Sequence, residues 1–200
     1  MTNPFSTKFW ASGAIPFLFS EPGERLDTLL EKAGRHPICQ IVGPHGSGKS
    51  TLLLELRKGY EKEGEEVRYL FFNNNQQQQA QQQPPVSDWQ NPGDALFRAT
   101  PFRATQTLLV DGFEQLSLFN RFRLLFQAKR LTKRLILTVH RPVWFIPILY
   151  RTEPQFSTFV QVVRQIVPNP PEESILRTVY DHSGGNFRDA FFELYDMFAV

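Results

Sequence analysis

The chain has 200 residues, 41% of them hydrophobic and 19 of them Phe, with 22 basic against 20 acidic residues and a formal net charge of +2. That length holds one domain with a sizeable core, the apolar content excludes a wholly disordered chain, and the near balance of charge demands no polyanionic partner. A single cysteine, Cys39, excludes an internal disulfide and a multi-cysteine metal site, and it fits a reducing, cytoplasmic setting.

Residues 1–20 read as an extended lead-in. Lys8 precedes an apolar stretch, but Gly13 and Pro16 interrupt it and no small-residue cleavage site follows, so it does not make a secretion signal. From 21 to 168 the pattern predicts an α/β core. Leu26, Leu29 and Leu30 share one face of a helix over 20–34, with Gly34 as its stop. "ICQIVG" (38–43) is a short buried strand, 48–64 a leucine-faced helix, and "EVRYLFF" (66–72) a second strand.

The tract "NNNQQQQAQQQPP" (73–85) opens an insertion that runs to 105. It is too polar to bury itself and reads as an expanded surface loop rather than a self-association segment. "FRATPFRAT" (97–105) repeats four letters, which is too short for a solenoid unit. "TQTLLVDG" (105–112) is a third strand. The next helix is expected over 113–131, with Phe113, Leu116, Phe119, Phe122 and Phe126 on its apolar side.

"RLILTVH" (134–140) is a fourth strand, 142–153 a short helix or turn, and "FVQVVRQIV" (159–167) a fifth strand. The apolar run 143–150 is too short to span a membrane, which takes about 20 residues. Beyond Pro168, two helices over 172–181 and 187–198 form a small helical lid occupying 169–200. Strands alternating with helices predict a mostly parallel sheet of about five strands flanked by helices.

"GPHGSGKST" (43–51) fits the pattern G-x-x-x-x-G-K-[ST] completely. Its residues are Gly43, Pro44, His45, Gly46, Ser47, Gly48, Lys49, Ser50 and Thr51. The glycines let backbone N–H groups turn inward onto phosphate oxygens, and the helix that follows presents its positive end to the same anion. Lys49 reaches the outer phosphates as a point charge, and the Ser50 hydroxyl serves Mg²⁺. His45 reads as a freely variable position of the loop. A strand directly before and an amphipathic helix directly after supply the context the pattern needs.

Asp111 ends an apolar strand and is the expected second Mg²⁺ ligand, of the Walker B kind. Gly112 stands where many P-loop ATPases place a catalytic glutamate. Glu114 follows two residues later, as a base for the attacking water or as a helix N-terminal acid. Thr138 and His140 close the fourth strand. "SGGNFRD" (183–189) matches the letters of a transporter signature loop, but it follows the Asp111 strand instead of preceding it, and that reading fails. Gly184 and Gly185 end one helix, Asn186 caps the next, and Arg188 sits on it.

The loop at 43–51, the strand ending in Asp111 and the Gly-x-x-Arg context of Arg188 together resemble the additional-strand branch of P-loop NTPases, the AAA+ and STAND-like ATPases. The resemblance covers about residues 20–200. It implies ATP and Mg²⁺ bound between core and lid, and a fourth strand lying between the strands of the loop and of Asp111. It also implies sensing by Thr138 (like sensor 1), His140 (like a switch histidine) and Arg188 (like sensor 2). The expected function is a Mg-dependent ATPase acting as a conformational switch, through self-assembly or on a separate protein. No N-K-x-D motif is present to read guanine, which favours ATP. Gly112 departs from the pattern, and Arg141 and Arg151 lie where an arginine finger often stands. A small-molecule kinase, or a nucleotide-binding module with little turnover, are the alternatives. Arg121, Arg123, Lys129, Arg130, Lys133 and Arg134 read as a solvated basic face in preference to a nucleic-acid contact.

Overall fold

The computed structural model describes residues 3–20, 23–72 and 106–198. The expected insertion at 73–105, with its glutamine tract and repeat, lies outside the described residues. Five strands form one parallel sheet: β1 (Ile38–Val42), β2 (Val67–Phe71), β3 (Thr107–Asp111), β4 (Arg134–Val139) and β5 (Ile148–Arg151), in the order β2-β3-β4-β1-β5. β4 therefore lies between β1 and β3, pairing Ile41 with Thr138 on one side and its own Leu137 with Val110 on the other.

Helices cover both faces, as an all-parallel sheet requires. On one face α2 (Leu26–Gly34) and α3 (Lys49–Lys62) bury Leu29, Leu30, Leu52, Leu53 and Leu56 against Ile41, Leu109 and Ile136. On the other, α4 (Leu118–Leu131) lays Leu124 and Ala128 on Leu108, Val110, Leu135 and Leu137. Each fully buried leucine contributes roughly 1.5–3 kcal/mol by leaving water. Among the described residues no helix is long and apolar enough to cross a membrane.

The fifth strand is not the one the sequence suggested. Residues 159–167 fall in helix α5 (Phe156–Ile166), and β5 instead comes from the segment expected to be a turn. Phe159, Val160 and Val163 are buried together, at a spacing that suits one side of a helix better than one face of a strand. The β-branched valines of this run had argued for a strand, and tertiary packing overrode it. The true β5 was masked by Pro142 and Pro147. Pro147 sits just outside the strand, where its missing N–H costs nothing and its carbonyl accepts the Gln40 amide at 2.9 Å.

Two further expectations change. The helix over 113–131 begins as a single 3₁₀ turn, Phe113–Gln115, before Ser117 caps α4 by accepting the Asn120 amide. Moreover, of its five aromatic and leucine positions only Phe113 and Leu116 are buried. Phe119, Phe122 and Phe126 are 73%, 65% and 61% exposed, because the helix turns Leu124 and Ala128 to the sheet instead.

α5, α6 (Glu173–His182) and α7 (Phe187–Met197) share a separate apolar cluster built on Phe159, Val163, Leu176, Val179, Phe191 and Leu194. The lead-in is not wholly extended: a short helix, α1 (Thr7–Trp10), lies in it. Phe5 is buried in the α5–α7 cluster, and Trp10 stacks on Phe191 with ring centroids 5.3 Å apart. Farther on, Phe17 and Phe19 pack edge-on against Tyr150 of β5.

Candidate nucleotide site

The loop 43–48 links the C-terminal end of β1 to the first turn of α3. Gly43 is buried, its amide donating to Val139 O of β4 at 3.2 Å. Pro44 and His45 are exposed at the tip. Gly46 has φ +69°, and a Cβ there would fall 1.7 Å from Asn186 Oδ1, so only glycine lets the loop meet the α7 N-terminus this closely. Ser47 Oγ donates to Pro44 O at 2.8 Å and shares a 2.6 Å hydrogen bond with Thr152 Oγ1 beyond β5. Gly48 caps α3; Lys49, Ser50 and Thr51 form its first turn. The α3 N-terminus and the loop amides thus converge in one place, an arrangement suited to an anion.

Lys49 is buried, 7% exposed, and its Nζ donates to Pro44 O at 2.5 Å. Burial pulls its pKa down to about 8, against the opposing pull of Glu114 and Asp111, while Arg188 adds a smaller push downward. Asp111, Glu114 and Arg188 are therefore all within electrostatic reach of Lys49, although the four come from three separate parts of the chain.

Asp111 ends β3, only 4% exposed. Thr138 Oγ1 donates to its Oδ1 at 2.5 Å and Tyr69 OH to its Oδ2 at 3.0 Å. A carboxylate offers about four lone-pair sites, so two donors leave room for a cation. Its neighbour Gly112 has φ +78°, and a Cβ there would stand 2.3 Å from Phe72 O. No glutamate fits at that position without moving β2.

Glu114 is half-buried in the 3₁₀ turn. Its Oε1 lies 2.7 Å from His140 Nδ1, and its Oε2 is buried without a hydrogen-bond partner. Burial raises the Glu114 pKa above the ordinary carboxylate value. His140, at the end of β4, has its pKa pushed down to about 4, first by burial and then by Lys49 and His45. Near neutral pH its imidazole is uncharged, and the contact with Glu114 is a hydrogen bond rather than an ion pair. The His45 ring stacks on His140 at 3.7 Å between centroids, tilted by 36°. His140 lines two cavities, one of about 330 Å³ with Glu114, Arg121 and Arg141, and one of about 260 Å³ with Gly43, Pro44 and Arg151.

The structure thus brings Lys49, Asp111, Glu114, Thr138 and His140 together at the C-terminal end of the sheet. Thr138 faces Asp111 and the Gly112 amide, which donates to its Oγ1 at 3.0 Å. Arg188 is exposed at the start of α7, where its amide donates to Asn186 Oδ1 at 3.1 Å. Sequence reading missed Tyr69, Thr152 and the contact of Asn186 with the loop. A tyrosine in the middle of a short strand was the one signal available for Tyr69. Among the described residues no group of three or more His, Cys, Asp or Glu could hold a metal ion by itself. A cation here would draw on one carboxylate and hydroxyl oxygen, the hard donor set that suits Mg²⁺.

The chain is similar in fold to domain III of the Thermotoga maritima replication initiation protein DnaA, with a TM-score of 0.53 and 16% identity over 88% of this chain and 91% of that one. A looser likeness, TM-score 0.44 at 13% identity, joins 85% of this chain to 66% of C. elegans PCH-2 and carries no weight. No protein-family model and no curated protein matches the chain. At these identities the likeness to the first is one of fold.

Proposed function

We propose that this chain binds ATP with Mg²⁺ at the 43–51 loop and hydrolyses it slowly, as a conformational switch of the AAA+ and STAND-like kind. The observation that carries the reading is the convergence, at the C-terminal end of the sheet, of a complete phosphate loop, the buried Lys49 and the buried Asp111, with β4 inserted between their strands. The fold shared with DnaA domain III supports it.

In this reading the amides of His45, Gly46, Ser47 and Gly48 cradle the phosphates, Gly43, whose amide is held by Val139 O, opens the loop, and Lys49 neutralises the outer ones. Ser50 and Asp111 would hold the metal, with Thr51 completing the helix turn beneath the phosphates. The ion, when bound, neutralises charge that develops on the transferred phosphoryl group. Tyr69 and Thr138 fix the Asp111 carboxylate from both sides. Glu114 is the base that orients water, since its buried Oε2 has an unused acceptor site. Thr138 acts through Asp111, whereas His140 stands between Glu114 and the loop. Arg188 is the group on the helical unit that senses the outer phosphate.

The core at 21–168 and the helices of 169–200 then work as base and lid, with α5 belonging to the lid's apolar cluster. The loop–lid contact between Gly46 and Asn186 is the hinge of that coupling. The switch acts through assembly of the chain with itself or on a separate protein, in the cytoplasm.

The test is the MgATP hydrolysis rate per chain across a wide range of protein concentrations, with Lys49→Ala and Glu114→Gln alongside. Binding lost in Lys49→Ala, turnover lost in Glu114→Gln and a specific rate that climbs with concentration are expected. ATP affinity retained in Lys49→Ala overturns the site; binding without turnover at every concentration leaves a nucleotide-holding module instead of an ATPase.

A further inference from the structure

We propose that His140 is a positioning residue for Glu114, and that His45 makes this positioning depend on the state of the phosphate loop. The proposal rests on the ATPase reading above. It assigns a role to a loop residue whose side chain the phosphate-loop pattern leaves unspecified.

Two contacts form an unbroken chain from the loop to Glu114. His45 belongs to the loop, one residue before Gly46, where the loop meets the α7 N-terminus. Its ring lies on His140 at 3.7 Å. The Nδ1 of His140 in turn reaches Glu114 Oε1 at 2.7 Å. A neutral imidazole protonated on Nδ1 donates to that carboxylate oxygen and fixes the carboxyl plane. The other oxygen, Oε2, is left buried with an open acceptor site. Glu114 and His140 also line the same cavity of about 330 Å³, and Oε2 itself is closed to solvent until the groups around it shift.

The chemistry closes on these groups. Water gives one proton to Glu114 Oε2 while its oxygen bonds to the γ-phosphorus. The bond from that phosphorus to the bridging oxygen of ADP breaks, and the proton returns to the departing phosphate. Donation from His140 to Oε1 keeps Oε2 aimed throughout. Because the loop holds one face of the His140 ring, a loop that reshapes around phosphate moves the ring, and with it the base. Lys49, His45, Asp111 and Glu114 are the charged or titratable groups acting on or touching His140 from the surrounding elements. Arg141 and Arg151 line the flanking cavities.

The experiment uses the full chain and measures kcat for MgATP beside the affinity for a non-hydrolysable MgATP analogue. His140→Ala should lower kcat about 100-fold, the lower range for a displaced general base, with affinity changed less than threefold. His140→Asn places an amide donor where Nδ1 stood and should recover at least tenfold of that loss. His45→Ala should lower kcat about tenfold, and His45→Phe, which keeps the stack, should recover at least half of the loss on a logarithmic scale. The double variant His45→Ala/His140→Ala should be no slower than His140→Ala, since both act through one contact. A full-rate His140→Ala, no recovery in His140→Asn, or multiplied losses in the double variant overturns the proposal.

Histidine ¹⁵N spectra of the unliganded chain supply a readout independent of turnover. His140 should show a protonated Nδ1 in a neutral ring, and both Glu114→Gln and His45→Ala should shift its resonances. Unmoved resonances overturn the positioning itself. A wild-type chain that binds MgATP without turnover, yet shows those shifts, overturns the ATPase reading while the contact chain stands.

Discussion

Thr138 Oγ1 donates to Asp111 Oδ1 at 2.5 Å, and the same oxygen accepts the Gly112 amide at 3.0 Å. One hydroxyl from β4 thereby fixes both the end of β3 and the turn that follows it. Thr138 is 1% exposed, so neither bond can be replaced by bulk water. Thr138→Val should strand the Gly112 amide and release one Asp111 oxygen, costing about 1–3 kcal/mol of stability. MgATP affinity should fall as well, while Thr138→Ser keeps both bonds and most of the affinity. Chemical denaturation and MgATP titration of the two variants check this. A valine variant with unchanged stability would remove the structural role assigned to the hydroxyl.

Lys49 gives a prediction in pH. Burial holds its pKa near 8 before ligand is bound. A polyphosphate beside it favours the ammonium and raises that value. Affinity for MgATP is then complete below pH 8 and weakens as pH rises above 8, by up to tenfold per unit until the pKa of the bound state is reached. Dissociation constants at pH 7, 8 and 9 measure the slope. Lys49→Arg, whose guanidinium stays charged, should bind less well but with a flat profile across that range. A flat profile in the wild type would mean that Lys49 does not meet the phosphates.

α4 separates two kinds of apolar residue. Leu124 is fully buried against the sheet, whereas Phe122 is 65% exposed. Leu124→Ala should cost about 2–5 kcal/mol through lost transfer energy and the cavity it leaves. Phe122→Ser should cost under about 1 kcal/mol, with helix propensity nearly unchanged. Urea denaturation of both variants checks the pair. Equal losses would show that the outer stripe of α4 is covered in solution.

The site was legible where a motif ties spacing to chemistry. "GPHGSGKST" was readable as a loop between a strand and a helix and Asp111 as the end of a strand, and the fold has both there. Gly112 was visible as a departure, but its reason was not. The φ of +78° and the approach of Phe72 O are facts of the β2–β3 packing, and neither leaves a mark on nearby sequence. The same holds for Tyr69, which meets Asp111 across paired strands. In the fold, β1 to β4 were readable from short apolar runs. β5 was not, because prolines flank it and its four residues carry little pattern. α5 was mistaken for a strand because a valine-rich run of nine residues suits both periods. For α4, Phe119, Phe122 and Phe126 at helical spacing named a face, and the sheet took the neighbouring one, with Leu124 and Ala128.

The lead-in supplies the last prediction. Trp10 stacks on Phe191 at 5.3 Å and meets Phe192 edge-on at 5.1 Å, and its Nε1–H donates to Phe5 O at 2.8 Å. Phe5 is 1% exposed in the cluster of α5, α6 and α7, and Asn3 Nδ2 donates to Tyr195 O at 2.8 Å. These residues therefore lie against the C-terminal helices, while Phe17 and Phe19, a few positions on, lie against β5 and the start of α3. The segment straps the helical cluster to the sheet. Trp10→Ala removes two ring contacts and one hydrogen bond, and because Trp10 is only partly buried the cost should be about 2 kcal/mol. The loss should be local. Hydrogen exchange should quicken in α6 and α7, whose cluster loses its outer support, and stay unchanged in β1, β3 and β4. Exchange that quickens equally in strands and helices would mean that sheet and helical cluster open as one unit, and that the strap couples nothing the rest of the chain does not already hold together.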